Sequence, residues 1–144
     1  TKGTLSSELF SETATRFASN VRKIEQIGEG IVELIEEGKL FSNEMKLLLK
    51  TYLKPMLDNK IDYLVLGCTH YPYLIPLLKE MLPPHVIIID SGEAVARQTK
   101  SVLEKTNLIN VSNSKPLLKF YTNTSPNVLK QLLDNKFWVE YLNF

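Results

Sequence analysis

IDYLVLGCTHYPYLIPLLKEMLPPHVIIIDSG, residues 61–92, reads as strand, loop, helix and strand in succession. The run IDYLVLGC is nearly all apolar and ends in glycine and cysteine, the pattern of a strand buried on both faces of a sheet. YPYLIPLLKEML follows as a helix with Pro72 near its first turn, where a missing N–H costs nothing. HVIIID is a second buried strand, and SGEAVARQTKSVLEK is the helix after it. Strand and helix alternating in this way predict an α/β fold with a mostly parallel sheet and flanking helices.

Working towards the N-terminus, FSNEMKLLLKTYLKPMLDNK is a longer amphipathic helix, with Ser42 or Asn43 as N-cap and Pro55 bending or ending it. GEGIVELIEEGKL is a short helix carrying Ile31, Leu34 and Ile35 and stopped by Gly38. VRKIEQI is a short strand candidate. TLSSELFSETATRFASN places Phe10, Ala14 and Phe17 at helical spacing, with serines available as caps. Towards the C-terminus, a polar linker at residues 106–115 precedes PLLKFYT as a strand. SPNVLKQLLDN is then a helix with Ser125 capping and Pro126 at its first position, and FWVEYLNF is a last strand. Two strands and one helix cannot bury both faces of a sheet alone, so this segment requires something to pack against.

With 144 residues, the chain fits one ordinary domain with a core of its own. Hydrophobic residues make up 44% and charged residues 23%, the balance of a globular protein. A net charge of +1 leaves no electrostatic footprint for nucleic acid or an anionic membrane. No apolar run reaches the ~20 residues of a membrane span, and the first residues hold no apolar core of a signal peptide. The single cysteine excludes an intrachain disulfide, and the metal-binding Cys/His spacings are missing. A reducing cytoplasm is the default setting. The absence of an initiator methionine suggests a chain cut from something longer.

Cys68, Thr69 and His70 stand where open α/β sheets bind ligands, at the carboxyl end of a strand. Backbone N–H groups there hold carboxylates or phosphates and favour a thiolate, and His70 is placed to stabilise it or donate a proton. Position alone leaves a second reading open, a cysteine buried for packing. Asp90-Ser91-Gly92 repeats the geometry, although Asp and Ser are ordinary N-caps. Glu36 and Glu37 end a helix, where the macrodipole disfavours carboxylates. His85 is a loop residue, and Phe137, Trp138 and Tyr141 read as core or interface.

LVLGCTHYP resembles the second cysteine signature of the glutamate racemases, within the aspartate/glutamate racemase superfamily. IGEGIVELIEEG is similar to the family segment that ends in V-x-L-[VI]-E-x-G, which maps its glutamate to Glu36. VIIIDSGEAVARQ and FYTNTSPNVLKQLL resemble later elements, and TKGT at residues 1–4 is similar to a T-x-x-T loop. Aspartate racemases carry glutamate in place of the histidine, so His70 points to glutamate. The first-half motifs, including the first catalytic cysteine, have no counterpart in this sequence.

The resemblance implies a racemase-like α/β fold that is incomplete. Residues 1–110 would form the second domain without its first strand, and residues 111–144 the strand-helix-strand that closes the first. It implies cofactor-independent inversion at Cα by two cysteines, with no metal, supplying D-glutamate for peptidoglycan. Cys68 would serve one face, that of L-glutamate, assisted by His70 and Glu36, while Thr69, His70, Thr4 and Thr1 would contact substrate. The missing half is then a required partner, the chain alone is inactive, and family members commonly form homodimers. Three other readings stand beside this one. They are a racemase for aspartate or another small acid, a Cys–His hydrolase or transferase, and a non-catalytic interaction fragment.

Overall fold

The computed structural model describes residues 2–112 and 114–144. In chain order the elements are α1 (Lys2–Leu5), α2 (Glu8–Phe17), α3 (Ile31–Glu36), α4 (Asn43–Asp58), β1 (Tyr63–Val65), a 3₁₀ turn (Tyr71–Leu74), α5 (Ile75–Met81), β2 (Ile87–Ile89), α6 (Gly92–Lys105), β3 (Phe120–Thr122), α7 (Pro126–Leu132) and β4 (Val139–Tyr141). The chain divides into two compact units, one ending at Asp90 and the other spanning Ser91–Phe144. Each holds a two-stranded parallel sheet, β1–β2 in the first and β3–β4 in the second. The fold is therefore α/β, with parallel strands and flanking helices.

The first unit owns the core. Ile31, Leu34 and Ile35 from α3 are buried together with Met45, Leu49 and Leu53 from α4 and the Leu74, Leu77 and Leu78 cluster that runs into α5. These positions recur at the three- and four-residue spacing of an amphipathic helix, which is why the short α3 persists although six residues are too few for a free helix. Ser42 is the N-cap of α4, and its hydroxyl accepts from the Met45 N–H at 3.1 Å. Ser7 does the same for α2 through the Phe10 N–H at 3.2 Å.

Several expectations need correction. The β1–β2 sheet is covered on one face only: Leu64 and Leu66 point into the core, while Tyr63, Val65, Ile87 and Ile89 on the other face are exposed. Residues 21–27 form no strand. A strand needs a ladder of hydrogen bonds, and β1 pairs with β2 instead. Pro55 does not end α4, which continues to Asp58. The proline lies in the last turns, where one lost N–H is tolerated. The helix after the cysteine loop starts as a 3₁₀ turn, with α5 proper beginning at Ile75. Ser125 precedes α7 without a side-chain cap bond, and α2 buries none of its residues.

Candidate active site

The site grows from the end of β1. Its ladder runs one residue past the strand, as the Leu66 N–H donates to the Ile89 carbonyl at 2.8 Å. The chain then leaves the sheet through Gly67 and turns back. Tyr71 N–H donates to the Cys68 carbonyl and Tyr73 N–H to the His70 carbonyl, each at 3.2 Å. Cys68, Thr69 and His70 thus occupy a tight turn that opens the 3₁₀ segment, with Pro72 supplying a preset φ at its start. From α1, the Thr4 hydroxyl donates to the Gly67 carbonyl at 3.2 Å and pins the entry to this turn.

His70 Nε2 lies 3.1 Å from Glu36 Oε1, bringing together two residues 34 apart in sequence. Its other ring nitrogen, Nδ1, lies 3.5 Å from the Thr69 hydroxyl, the outer limit of a hydrogen bond. Glu36 is therefore the stronger restraint. With a proton on Nε2 the ring donates to the carboxylate, which fixes its orientation and, in the neutral form, leaves Nδ1 as an acceptor. Glu37 is turned elsewhere and pairs with Lys39 at 2.6 Å. That hydrogen bond, followed by the carboxylate charge, raises the Lys39 pKa. Of the two adjacent glutamates, only Glu36 faces the histidine.

Cys68 is a free, half-buried thiol. Thr69 is exposed and His70 half-buried. Thr1 lies outside the described residues. Asp90 and Ser91 follow β2, and Ser91 makes no side-chain cap bond to α6. Among the described residues no group of three or more His, Cys, Asp or Glu side chains gathers as a metal-ligating set, and no helix is long and apolar enough to cross a membrane.

Sequence reasoning passed over Tyr71. Its hydroxyl donates to the Gly28 carbonyl at 3.2 Å. Burial first, then the neighbouring Cys68, Tyr52 and Glu33, raise its pKa above the ordinary tyrosine range. The signal was present as a tyrosine directly after Cys-Thr-His and a Gly-Glu-Gly turn ahead of α3, but nothing in either segment says that the two meet.

The sequence profile of the Asp/Glu/Hydantoin racemase family matches residues 1–99. A glutamate racemase from Pseudomonas entomophila is 44% identical over 133 residues, covering 92% of this chain and 50% of the relative. One from Pseudomonas syringae pv. tomato is 49% identical over 109 residues, covering 76% of this chain and 40% of the relative. Among solved structures, the glutamate racemase of Francisella tularensis in complex with D-glutamate matches with a TM-score of 0.73 at 25% identity, over 93% of this chain and 52% of that one. A glutamate racemase isoform from Bacillus anthracis shares the fold, with a TM-score of 0.79 at 23% identity over 98% of this chain and 54% of that one. The chain spans about half the length of the relatives it matches, 50% and 40% of the two sequences above. On the profile match and these identities, the chain belongs to the Asp/Glu/Hydantoin racemase family.

Proposed function

We propose that this chain is the part of a cofactor-independent glutamate racemase that carries the acid/base for one face of the substrate, Cys68. The observation that supports this reading most is the His70–Glu36 contact at 3.1 Å, on the turn that also bears the chain's single cysteine. A thiol two residues in sequence from an oriented imidazole is a pairing of residue types suited to acid/base work. The similarity to sequences named glutamate racemase adds the substrate.

The α-proton of an amino acid is weakly acidic, so the task is to lower the energy of the carbanion. In this reading the Cys68 thiolate takes the α-proton and becomes a thiol. A second acid on the opposite face then delivers its own proton to Cα, becoming a base in turn, and the product has inverted configuration. Racemisation treats both enantiomers alike and so requires an acid/base on each side. The second group comes from the remainder of the enzyme, because Cys68 has no companion cysteine in this sequence. Thr69 and His70 take the substrate carboxylate or ammonium, Thr4 supports the turn, and Glu36 orients His70. Donors on the carboxylate and exclusion of water by the opposing half lower the carbanion's energy.

Residues 1–110 would then belong to the second domain of the enzyme and 111–144 to the elements that close its first. The family resemblance extends the reading to a cytoplasmic, homodimeric enzyme supplying D-glutamate for peptidoglycan.

The test is Cα hydrogen–deuterium exchange of L- and D-glutamate in D₂O, with Cys68→Ser as control. The expected outcome is exchange of one enantiomer that depends on Cys68, without net racemisation. Racemisation by this chain alone would overturn the one-sided assignment. Exchange that persists in Cys68→Ser would overturn the role of the thiol, and no exchange of either enantiomer would overturn unaided proton abstraction by this half-site.

A further inference from the structure

The turn Gly28-Glu29-Gly30 is held in a way the chemistry above does not use. Two successive carbonyls in it each accept a tyrosine hydroxyl: Tyr71 donates to Gly28 at 3.2 Å, and Tyr52, from α4, donates to Glu29 at 2.9 Å. Tyr52 is close enough to be among the groups that raise the Tyr71 pKa, after burial and Cys68. Main-chain acceptors cannot swing away as a side chain does, so these bonds fix the path of the backbone itself.

The fit at Gly28 is tight. A Cβ there would lie 2.5 Å from the Tyr71 hydroxyl oxygen and 2.7 Å from Ile31 Cδ1. Only glycine lets the phenol come this near to the turn. The turn leads straight into α3, whose buried Ile31, Leu34 and Ile35 seat it in the core. Six residues on, at about 1.5 Å per residue, α3 ends at Glu36. Glu36 meets His70, and Tyr71 is the next residue after His70. The same two segments are therefore tied twice, by Tyr71 where α3 begins and by the His70–Glu36 contact where it ends.

We propose that Tyr52 and Tyr71 clamp the Gly28–Gly30 turn as a fixed pivot, and that Tyr71 is a positioning residue setting where α3 presents Glu36 to His70. The value of that contact to catalysis rests on the racemase reading, whereas the clamp itself does not.

Removing one hydroxyl tests it. Phenylalanine keeps the ring and its ring current, so the fold and its magnetic environment are retained. The chain has two histidines, His70 and His85, so two imidazole Hε1 lines appear in its proton NMR spectrum at constant pH, and Glu36→Gln identifies that of His70. Tyr71→Phe is expected to move the His70 line and leave His85 in place. In the Glu36→Gln background the same substitution is expected to move it by less than half as much, because the contact it positions is already gone. Tyr52→Phe should act in the same direction. Alkylation of Cys68 by iodoacetamide, followed by mass spectrometry, should rise about threefold or more in Tyr71→Phe without denaturant, as expected of local opening and not of global unfolding.

A His70 line unmoved by Tyr71→Phe, or moved equally with and without Glu36, would overturn the proposal. So would a rise in alkylation that appears only when urea unfolds the whole chain. None of these readouts needs turnover, so failure of the glutamate exchange experiment would leave the clamp standing, and failure here would leave the racemase reading standing.

Discussion

Tyr71 has its hydroxyl on the Gly28 carbonyl, and burial, then Cys68, raise its pKa above the ordinary tyrosine value. The folded protein thus keeps the phenolic proton to higher pH than the unfolded chain does. Stability is untouched below the unfolded tyrosine range and falls as pH rises through it, because there the unfolded state binds fewer protons. Between about pH 9 and about pH 11 the melting temperature of the wild type should therefore fall more steeply than that of Tyr71→Phe; parallel slopes in thermal melts would contradict this. The His70–Glu36 pair contributes little to stability. Its side chains are 33% and 55% exposed, and a solvent-exposed ion pair contributes about 0–1 kcal/mol. Glu36→Gln should accordingly lower the unfolding free energy in urea by less than about 1 kcal/mol, and a larger loss would mean that the contact is structural before it is functional. Glu36 was legible in the sequence as a carboxylate at an unfavourable helix end and as the residue to which the family segment maps, whereas helix placement alone did not separate it from Glu37, since a one-residue change of register turns a side chain by about a quarter of a helical turn.

Among the described residues, four of the helices end by one device. At the end of α3, Lys39 N–H reaches back to the Leu34 carbonyl at 2.8 Å and Gly38 N–H to Ile35 at 3.0 Å, with Gly38 at φ 73°. The same pair of bonds closes α4 at Lys60, α6 at Asn107 and α7 at Asp134, each with positive φ. This is the Schellman ending, in which a left-handed residue lets two orphan carbonyls find donors. Only Gly38 was readable as a stop, because glycine enters that region freely. Lys60 was not, since its side chain gives no sign of a left-handed backbone, and Pro55, a residue that ordinarily ends helices, lies inside α4. Relief of the left-handed strain, about 1–2 kcal/mol, is partly offset by the extra chain entropy of glycine, about 0.5–1 kcal/mol. Lys60→Gly should thus stabilise the protein by about 0.5–1 kcal/mol. Gly38→Ala should destabilise it by about 1 kcal/mol or more, because alanine is strained at that φ. Urea unfolding of the two variants measures both, and a loss of stability in Lys60→Gly would show that the lysine side chain contributes more than its backbone costs.

Across the molecule, burial is divided unequally between the two units. The first buries Ile31, Leu34 and Ile35 of α3, Met45, Leu49 and Leu53 of α4, Leu64 of β1 and Leu77 and Leu78 of α5, whereas Val139 is the buried hydrophobic residue among those described in the second. In that unit Leu117, Trp138, Tyr141 and Phe144 are all exposed. Its order rests on the β3–β4 ladder, on packing of Phe120 against Phe137 with ring centres 4.8 Å apart, and on Lys130 above the Trp138 ring. The alternation of strand and helix that revealed the fold class holds in both units, but alternation says nothing about what covers an apolar face. That is why the sheet of β1 and β2, read from its continuous apolar runs as covered on both sides, leaves Tyr63, Val65, Ile87 and Ile89 in solvent. Apolar burial is the main force opposing local opening. Amide hydrogen exchange should therefore find β3, α7 and β4 exchanging at least about tenfold faster than α4 and α5. Short helices and two-stranded ladders with little buried beneath them open without unfolding the core, so the fast amides should share one opening free energy while those of α4 and α5 report the global one. Equal protection in the two units would mean that they unfold as one, with the second stabilised by more than its own side chains bury.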